Sequence, residues 1–420
     1  MQIFKFGGAS VKDANSIRNV GEIIAKYNDD KLLIVVSAMG KTTNYLERIW
    51  TSYHEQNSDL ADLFGALKQQ NDEVISDLFA DSTLVNEKLN EVYLELKATL
   101  IQKPVANKDF LYDQIVSVGE VLSTLIVSEY LNEVGYTNKW VNVKTCIKTD
   151  NNYREGIVDW DKTKICINNV VNAIKEKVVI TQGFLGATPE NFTTTLGREG
   201  SDYTGSIFAI CLNAEKLIIW KDVVGVLNAD PRFVPSAKKI DNLSFQQANE
   251  LTFYGAKVIH PKTLSPLKNA NIPLEVRSFI ESDKEGTIIS NKATAEIDLP
   301  PIVIFNRKQV KITVSRKDDQ LLFEKDIAQI YTAFSNHYLQ VNLSHRSAYN
   351  IWFAVDNQKF KIEPVIEELE AEYHVDVNDK GLEVLTFQHH TQKFVEKILA
   401  DKKVVCKAFT GDLMKILVNA

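Results

Sequence analysis

Over the first 290 residues, short apolar runs alternate with longer stretches of helical spacing. Gln2–Phe6 reads as a strand. Lys31–Ser37 (KLLIVVS) is a nearly unbroken apolar strand, as expected where helices cover both faces of a sheet. Between them, Val11, Ile17, Val20, Ile24 and Tyr27 predict a helix over Val11–Tyr27. Residues 45–103 are rich in Leu, Glu and Lys with little strand character, and predict a helical excursion from the sheet. A long helix over Phe110–Val134 comes next, then strand Lys139–Val143, helix Thr163–Lys175 and strand Val178–Thr181. Helix Asp202–Leu212, strand Lys216–Trp220 and a late strand Leu274–Ser278 complete a three-layer α/β pattern. In such folds ligands gather beyond the carboxyl ends of the strands.

Residues 291–301 read as a linker ending in Leu-Pro-Pro, which resists regular structure. The pattern beyond it predicts strands at Val310–Val314, Leu339–Leu343, Tyr349–Val355, His374–Asn378, Gly381–Phe387, Lys402–Lys407 and Met414–Val418. Helices are expected at Glu324–His337, Lys359–Tyr373 and 391–400. This fits two small α+β units, 302–378 and 379–420, the second short enough to exchange strands with the first.

Length supports two or three domains: the chain has 420 residues, 45% apolar and 25% charged. No apolar run approaches the roughly 18 residues that span a bilayer, so no membrane partner is expected. The formal net charge is −7 without one long basic tract, which disfavours nucleic acid as a partner. An anionic small substrate then needs individually placed cations. Cys146, Cys166, Cys211 and Cys406 are widely separated, form no CxxC and have no histidines at metal-ligand spacing. Free thiols in a reducing cytoplasm, and no protein metal site, are the expectation. The start of the chain carries no signal-peptide pattern.

Four stretches carry candidate chemistry. Lys5-Phe6-Gly7-Gly8-Ala9-Ser10 spans the end of the first strand and the turn after it. Glycines let backbone N–H groups approach an anion, and Lys5 adds a full charge. A plain tight turn explains the pair of glycines equally well. Neither the Walker A spacing nor GxGxxG is present. Arg198, with Ser201 and Asp202, stands before a predicted helix. Arginine offers a fork to a carboxylate and Asp202 an acceptor for an ammonium, which suits an amino acid; Ser201 or Asp202 is also a candidate helix cap. Lys221 and Asp222 end an apolar strand where a nucleotide fits, and Asn228–Arg232 continues it, although Gly, Asn, Asp and Pro make an ordinary turn there. Lys257, in YGAKVIHP, is as readily a surface lysine. Glu120 sits in an otherwise apolar helix, either on a solvated face or pointing into the cleft.

Taken in order, KFGGAS, VVSAMG (35–40), GE (119–120), TQGFLG (181–186), GREGSD (197–202), WKDVVGV (220–226), DPR (230–232) and YGAKVIHP (254–261) resemble the aspartate kinases of the amino acid kinase family. The resemblance covers roughly residues 1–290, and the appendages resemble the paired ACT domains, small ferredoxin-like modules, that follow in the family. It implies an amino acid kinase fold and an ATP- and Mg²⁺-dependent phosphorylation of the β-carboxylate of L-aspartate, the first step toward lysine, threonine and methionine. By motif, Lys5, Gly7 and Gly8 hold phosphates, Ser37 and Glu120 line the aspartate side, and Arg198 holds the α-carboxylate with Ser201 and Asp202 nearby. Lys221, Asp222, Arg232 and Lys257 line the nucleotide side. Lys221 stands where the family usually has Thr or Ser, and Glu199 where it usually has Gly.

The family context also implies a homodimer through the ACT-like modules and lysine or threonine as an effector. The expected effector loop, Ser315–Leu322, has no glycine, and Ser344–Ser347 lacks the family's usual Ser-Glu signature. Rival readings are a kinase for glutamate, acetylglutamate or carbamate, and a ligand-sensing dimer with a dead kinase core.

Overall fold

The computed structural model describes residues 1–27, 31–103, 106–256, 259–292 and 299–419. They divide into two compact units. The first comprises Met1–Val226, Asp241–Asn249 and the described part of Ile259–Ile297; the second comprises Leu227–Ile240 and the described parts of Glu250–Val258 and Asp298–Ala420. The division is therefore not the single cut near 290 expected from the sequence. Ala229 and Val234 are the reason: they bury their side chains in a cluster with Val303, Leu385 and Phe387.

The first unit is built on strands β1 (Gln2–Phe6), β2 (Leu32–Val36), β3 (Asn138–Val141), β4 (Val178–Gln182), β5 (Leu185–Ala187), β6 (Thr193–Thr195), β7 (Lys216–Lys221), β8 (Asn242–Leu243), β9 (Leu274–Ser278) and β10 (Thr287–Ile289). Its helices are α1 (Ala14–Ala25), α2 (Thr42–Glu55), α3 (Leu60–Leu78), α4 (Thr83–Ile101), α5 (Lys108–Val116), α6 (Val118–Glu133), α7 (Trp160–Asn172), α8 (Gly200–Cys211), α9 (Phe245–Phe253, continuing into the second unit) and α10 (Pro261–Ala270). Eight strands form one sheet in the order β3-β4-β2-β1-β7-β9-β10-β8. The strands from β3 to β9 run parallel, and β10 is antiparallel to β9.

All five residues of β1 and of β2 are buried. Phe4, Phe6, Leu32, Ile34 and Val36 belong to a large core with α1 to α6. On β1 the period of two turns Lys5 away from Phe4 and Phe6, toward α8, where Gly205 leaves room: a Cβ there would lie 3.0 Å from Leu217 and 3.7 Å from the Lys5 Cβ. The excursion at 45–103 is helices α2, α3 and α4. The long helix expected over Phe110–Val134 is two, joined at Ser117. By composition Lys108–Glu133 is long and apolar enough to cross a membrane, and 78% of its most apolar window is buried in the fold. The sequence reading passed over it because Asp113, Glu120 and Glu129 interrupt the run. Cys146 and Cys211 are buried, and all four cysteines are free.

The second unit carries an antiparallel six-stranded sheet of β11 (Ile302–Arg316), β12 (Val341–Arg346), β13 (Asn350–Asp356), β14 (Tyr373–Gln388), β15 (Lys403–Thr410) and β16 (Leu413–Asn419), ordered β12-β13-β11-β14-β16-β15. Helices α11 (Glu324–Asn336), α12 (Lys359–Glu370) and α13 (Gln392–Leu399) pack on it. The boundary expected at 378/379 falls inside β14, which is continuous where two strands were anticipated. Gly381, with φ +62°, lies within that one strand. β11 begins eight residues before the strand expected at Val310, because Ile302–Asn306 pair with Val384–Gln388. The sheet is thus continuous across the two predicted modules. Leu385 is fully buried between its neighbours β11 and β16. Leu385→Ala should cost about 2–5 kcal/mol of stability, read as a lower urea midpoint for the second unit.

Candidate active site

The carboxyl ends of β1, β2 and β7 meet at a cavity of about 890 Å³ within the first unit. Lys5, Gly8, Ser37, Glu120, Arg198, Ser201, Asp202 and Lys221 all line it. The register explains the convergence: Lys5 lies level with Val35 of β2 and Ile219 of β7, two residues before Ser37 and Lys221. The Ser37 N–H donates to the Phe6 carbonyl (3.1 Å), and the Gly40 N–H to that of Gly8 (3.0 Å), tying the two strand ends together. A Cβ on Gly8 would meet the Ala38 carbonyl at 2.7 Å, and one on Gly7 would meet Lys5 Nζ at 3.3 Å. Gly8 is demanded by close approach to backbone, not by backbone twist, whereas the contact at Gly7 is with the movable end of a lysine. The chain then makes a 3₁₀ turn over Gly8–Val11, so the helix expected from Val11 begins later. α1 starts at Ala14, where the Asp13 carboxylate accepts from the Ser16 N–H (2.8 Å).

Asp202 ties the charges together. In the first turn of α8 and almost wholly buried, it pairs with Lys5 Nζ at 2.6 Å and Lys221 Nζ at 3.6 Å. Burial pushes its carboxyl up, but the two ammonium groups and the hydrogen bonds from them hold it below the ordinary carboxylate value. The ammonium that Asp202 was expected to receive is therefore supplied by the chain itself. Asp202 and Ser201 do not cap α8 either; the N-cap is Glu199, at φ +53°. Its carboxylate accepts from the His260 N–H (3.0 Å), which fixes a side chain at a position where glycine would be less strained. Arg198 is exposed at the mouth of the cavity.

Glu120 faces the cavity from the first turn of α6. Gly119 permits this: a Cβ there would meet Leu46 at 2.9 Å and Ala38 at 3.1 Å, so the helix comes close to the loop after β2. One Glu120 oxygen accepts from the Ala38 N–H (3.4 Å), and the other is buried without a partner. Burial pushes its pKa up to about 8, against the smaller opposing effects of its backbone donors and of Lys5.

Asp222 does not line the cavity; β7 ends at Lys221, and Asp222 is exposed beyond it. Arg232 belongs to the second unit, where its guanidinium forks onto Asp230 at 2.5–3.1 Å. Gly7 stands behind Gly8 against Lys5, and Lys257 lies outside the described residues. The sequence reading missed an entire wall. α5 contributes Asp109 and Tyr112, the 152–155 loop contributes Asn152, Tyr153, Arg154 and Glu155, and Phe184 and Thr195 complete it. Behind them, fully buried Asp113 accepts from the N–H groups of Arg154 and Thr195 (both 2.9 Å) and from the Thr195 hydroxyl (2.8 Å). Burial outweighs these donors and pushes its carboxyl up to about 6. The signal for this wall was an acid, Asp113, within an apolar helix, as for Glu120. Three of the cavity's non-glycine residues have left-handed backbones: Arg154 (φ +68°), Phe184 (φ +71°) and Glu199.

Parallel strands that deliver cations and a glycine to one cavity at their carboxyl ends define an α/β protein with an anion-binding site. A model of the amino acid kinase family matches residues 1–278, and the chain belongs to that family. Within it, the likeness is to aspartokinases. The lysine-sensitive aspartokinase 3 of Escherichia coli (strain K12) is 28% identical over 358 residues, covering 84% of this chain and 78% of the relative. The crystal structure of E. coli aspartokinase III with lysine and aspartate (T-state) is 26% identical and superimposes with a TM-score of 0.83, covering 100% of this chain and 96% of that one. The same enzyme with aspartate and ADP (R-state) has 26% identity and a TM-score of 0.81, with the same coverage.

A pH-stability measurement tests the state of Glu120. Because folding raises its pKa, the folded chain holds that proton better than the unfolded one. The stabilisation is full below the ordinary value of 4.5 and is lost as pH rises through about 8. Glu120→Gln removes this dependence. Without ligand, the melting temperature of the variant minus that of the parent should increase steadily from pH 5 to pH 8; a difference independent of pH would contradict the buried, protonated acid.

Proposed function

We propose that the chain transfers the γ-phosphoryl group of MgATP to the β-carboxylate of L-aspartate, giving ADP and 4-phospho-L-aspartate, a precursor for lysine, threonine and methionine. The observation that carries this reading is the buried Lys5–Asp202–Lys221 cluster, two cations on one anion, in a cavity that also presents Arg198 and the unpartnered Glu120 oxygen. Further support comes from the aspartate and ADP bound in the similar E. coli enzyme.

The acceptor carboxylate is already a nucleophile, so no strong base is needed. The task is to align two anions and offset their repulsion. Lys5 and Lys221, held by Asp202, stand at the phosphoryl groups, with Gly8 beside them on the cavity wall. Arg198 grips the α-carboxylate with Ser201 nearby. Ser37 and Glu120 line the acceptor, the free Glu120 oxygen taking its ammonium group. The metal arrives as part of the substrate MgATP: Asp202 is committed to two lysines.

Lysine, present in one of the E. coli complexes, is the effector we assign to the second unit. Its edge strands β12 and β15 leave backbone groups for pairing between two copies. A cytoplasmic location fits a biosynthetic enzyme of this kind.

The test is ADP release from MgATP with L-aspartate, L-glutamate or no acceptor, with hydroxylamine trapping of the acyl phosphate. Aspartate-dependent ADP and aspartyl hydroxamate are expected. Lys5→Ala should lower both by about 10²–10³-fold, as when a preorganised donor to a transition-state anion is removed. Glutamate-dependent turnover would keep the kinase and overturn the substrate.

A further inference from the structure

The geometry points to Arg154 as a second arginine for the non-reacting carboxylate of the acceptor, held in place by the buried carboxylate of Asp113. This rests on the aspartate kinase reading and adds a residue to it.

Arg154 lines the cavity from a loop between β3 and α7. Its backbone is left-handed, a conformation that costs a non-glycine residue about 1–2 kcal/mol. The strain persists because the Arg154 N–H donates to Asp113, which at the same time accepts from the backbone and hydroxyl of Thr195 on β6. Gln114, next in α5, repeats the stitch, donating to the Thr193 carbonyl (2.9 Å) and accepting from its N–H (3.1 Å). Helix, loop and strand are thus fastened into one wall.

The exposed side chain rests on a ring of the same wall. The guanidinium lies over the Tyr112 ring, 4.1 Å from its centroid, a stacking that leaves the N–H edges available in the plane. Its carboxylate partner, Asp109, is 3.4 Å away in an exposed pair, of the sort worth little in water and readily exchanged for another carboxylate. The same loop abuts the one bearing Arg198: a Cβ on Gly197 would lie 3.4 Å from the Arg154 carbonyl and 3.3 Å from Glu155. Two guanidiniums therefore stand on adjoining segments of this wall. Lys5, Asp202 and Lys221 come from β1, α8 and β7. An acceptor whose reacting carboxylate lies at Lys5 turns its other carboxylate to the arginines, and the pair selects for that second charge.

Steady-state kinetics of the full chain test this, using L-aspartate and its α-amide as acceptors. Arg154→Gly suits the left-handed backbone and removes only the side chain. It should raise the KM for L-aspartate about tenfold, the scale of a hydrogen bond to a charged group, and shrink the preference for aspartate over the α-amide by a similar factor. The kcat and the KM for MgATP should stay within about twofold, since only acceptor binding is touched. Asp113→Asn should raise the same KM less, and add nothing in the Arg154→Gly background, since Asp113 acts through Arg154. An unchanged aspartate KM and unchanged amide preference in Arg154→Gly would overturn the role of Arg154. A full Asp113→Asn effect in the Arg154→Gly background would overturn the positioning role. Those results require an active parent; a parent silent with aspartate overturns the substrate reading, and this proposal with it.

Discussion

The arrangement of the first unit turns on one buried ion pair, Lys5 with Asp202 at 2.6 Å. Lys5 is carried by a central strand and Asp202 by the first turn of a helix crossing that strand's other face. The pair can form only if β1, β7 and α8 are all in register. Removing one member of such a pair strands a charge in low dielectric, typically at about 3–5 kcal/mol. Lys221 brings a second ammonium group to the same carboxylate, at 3.6 Å. The same three side chains thus join β1, α8 and β7 and set the charge at the carboxyl end of the sheet.

Around this cluster the cavity is held in conformations the chain would not choose locally. Arg154, Phe184 and Glu199 are left-handed without being glycine, and each is fixed by a contact from elsewhere in the unit. Asp113 takes the Arg154 N–H, the Thr204 hydroxyl takes the Phe184 N–H (3.0 Å), and Glu199 receives the His260 N–H. Local strain is tolerated where surrounding structure over-determines it, and it collects at sites that must present side chains in one direction. The two acids Glu120 and Asp113 are buried on the same principle. Burial raises the pKa of each, and the hydrogen bonds of each tie a wall of the cavity.

Unbroken apolar strands and periodic helices leave few alternatives to a layered α/β core, so that much was legible along the chain. Cations, acids and glycines at strand ends are chemically conspicuous, and they brought forward Lys5, Glu120, Arg198, Ser201, Asp202 and Lys221, while Ser37 came only from the family resemblance. Long-range packing settled what no local pattern encodes. Asp222 and Arg232 looked equivalent to Lys221 along the chain, yet only Lys221 lies within the strand that reaches the cavity. The α5 wall was hard to read because its parts, Tyr112, Arg154 and Thr195, are far apart in sequence and are brought together by Asp113, Gln114 and the ring contact of Arg154. The continuity of β14, and the return of Ala229 and Val234 to the second unit, were likewise settled by pairing and burial between distant segments. Propensity sees a few neighbouring residues; register and burial are set by partners up to hundreds of positions away.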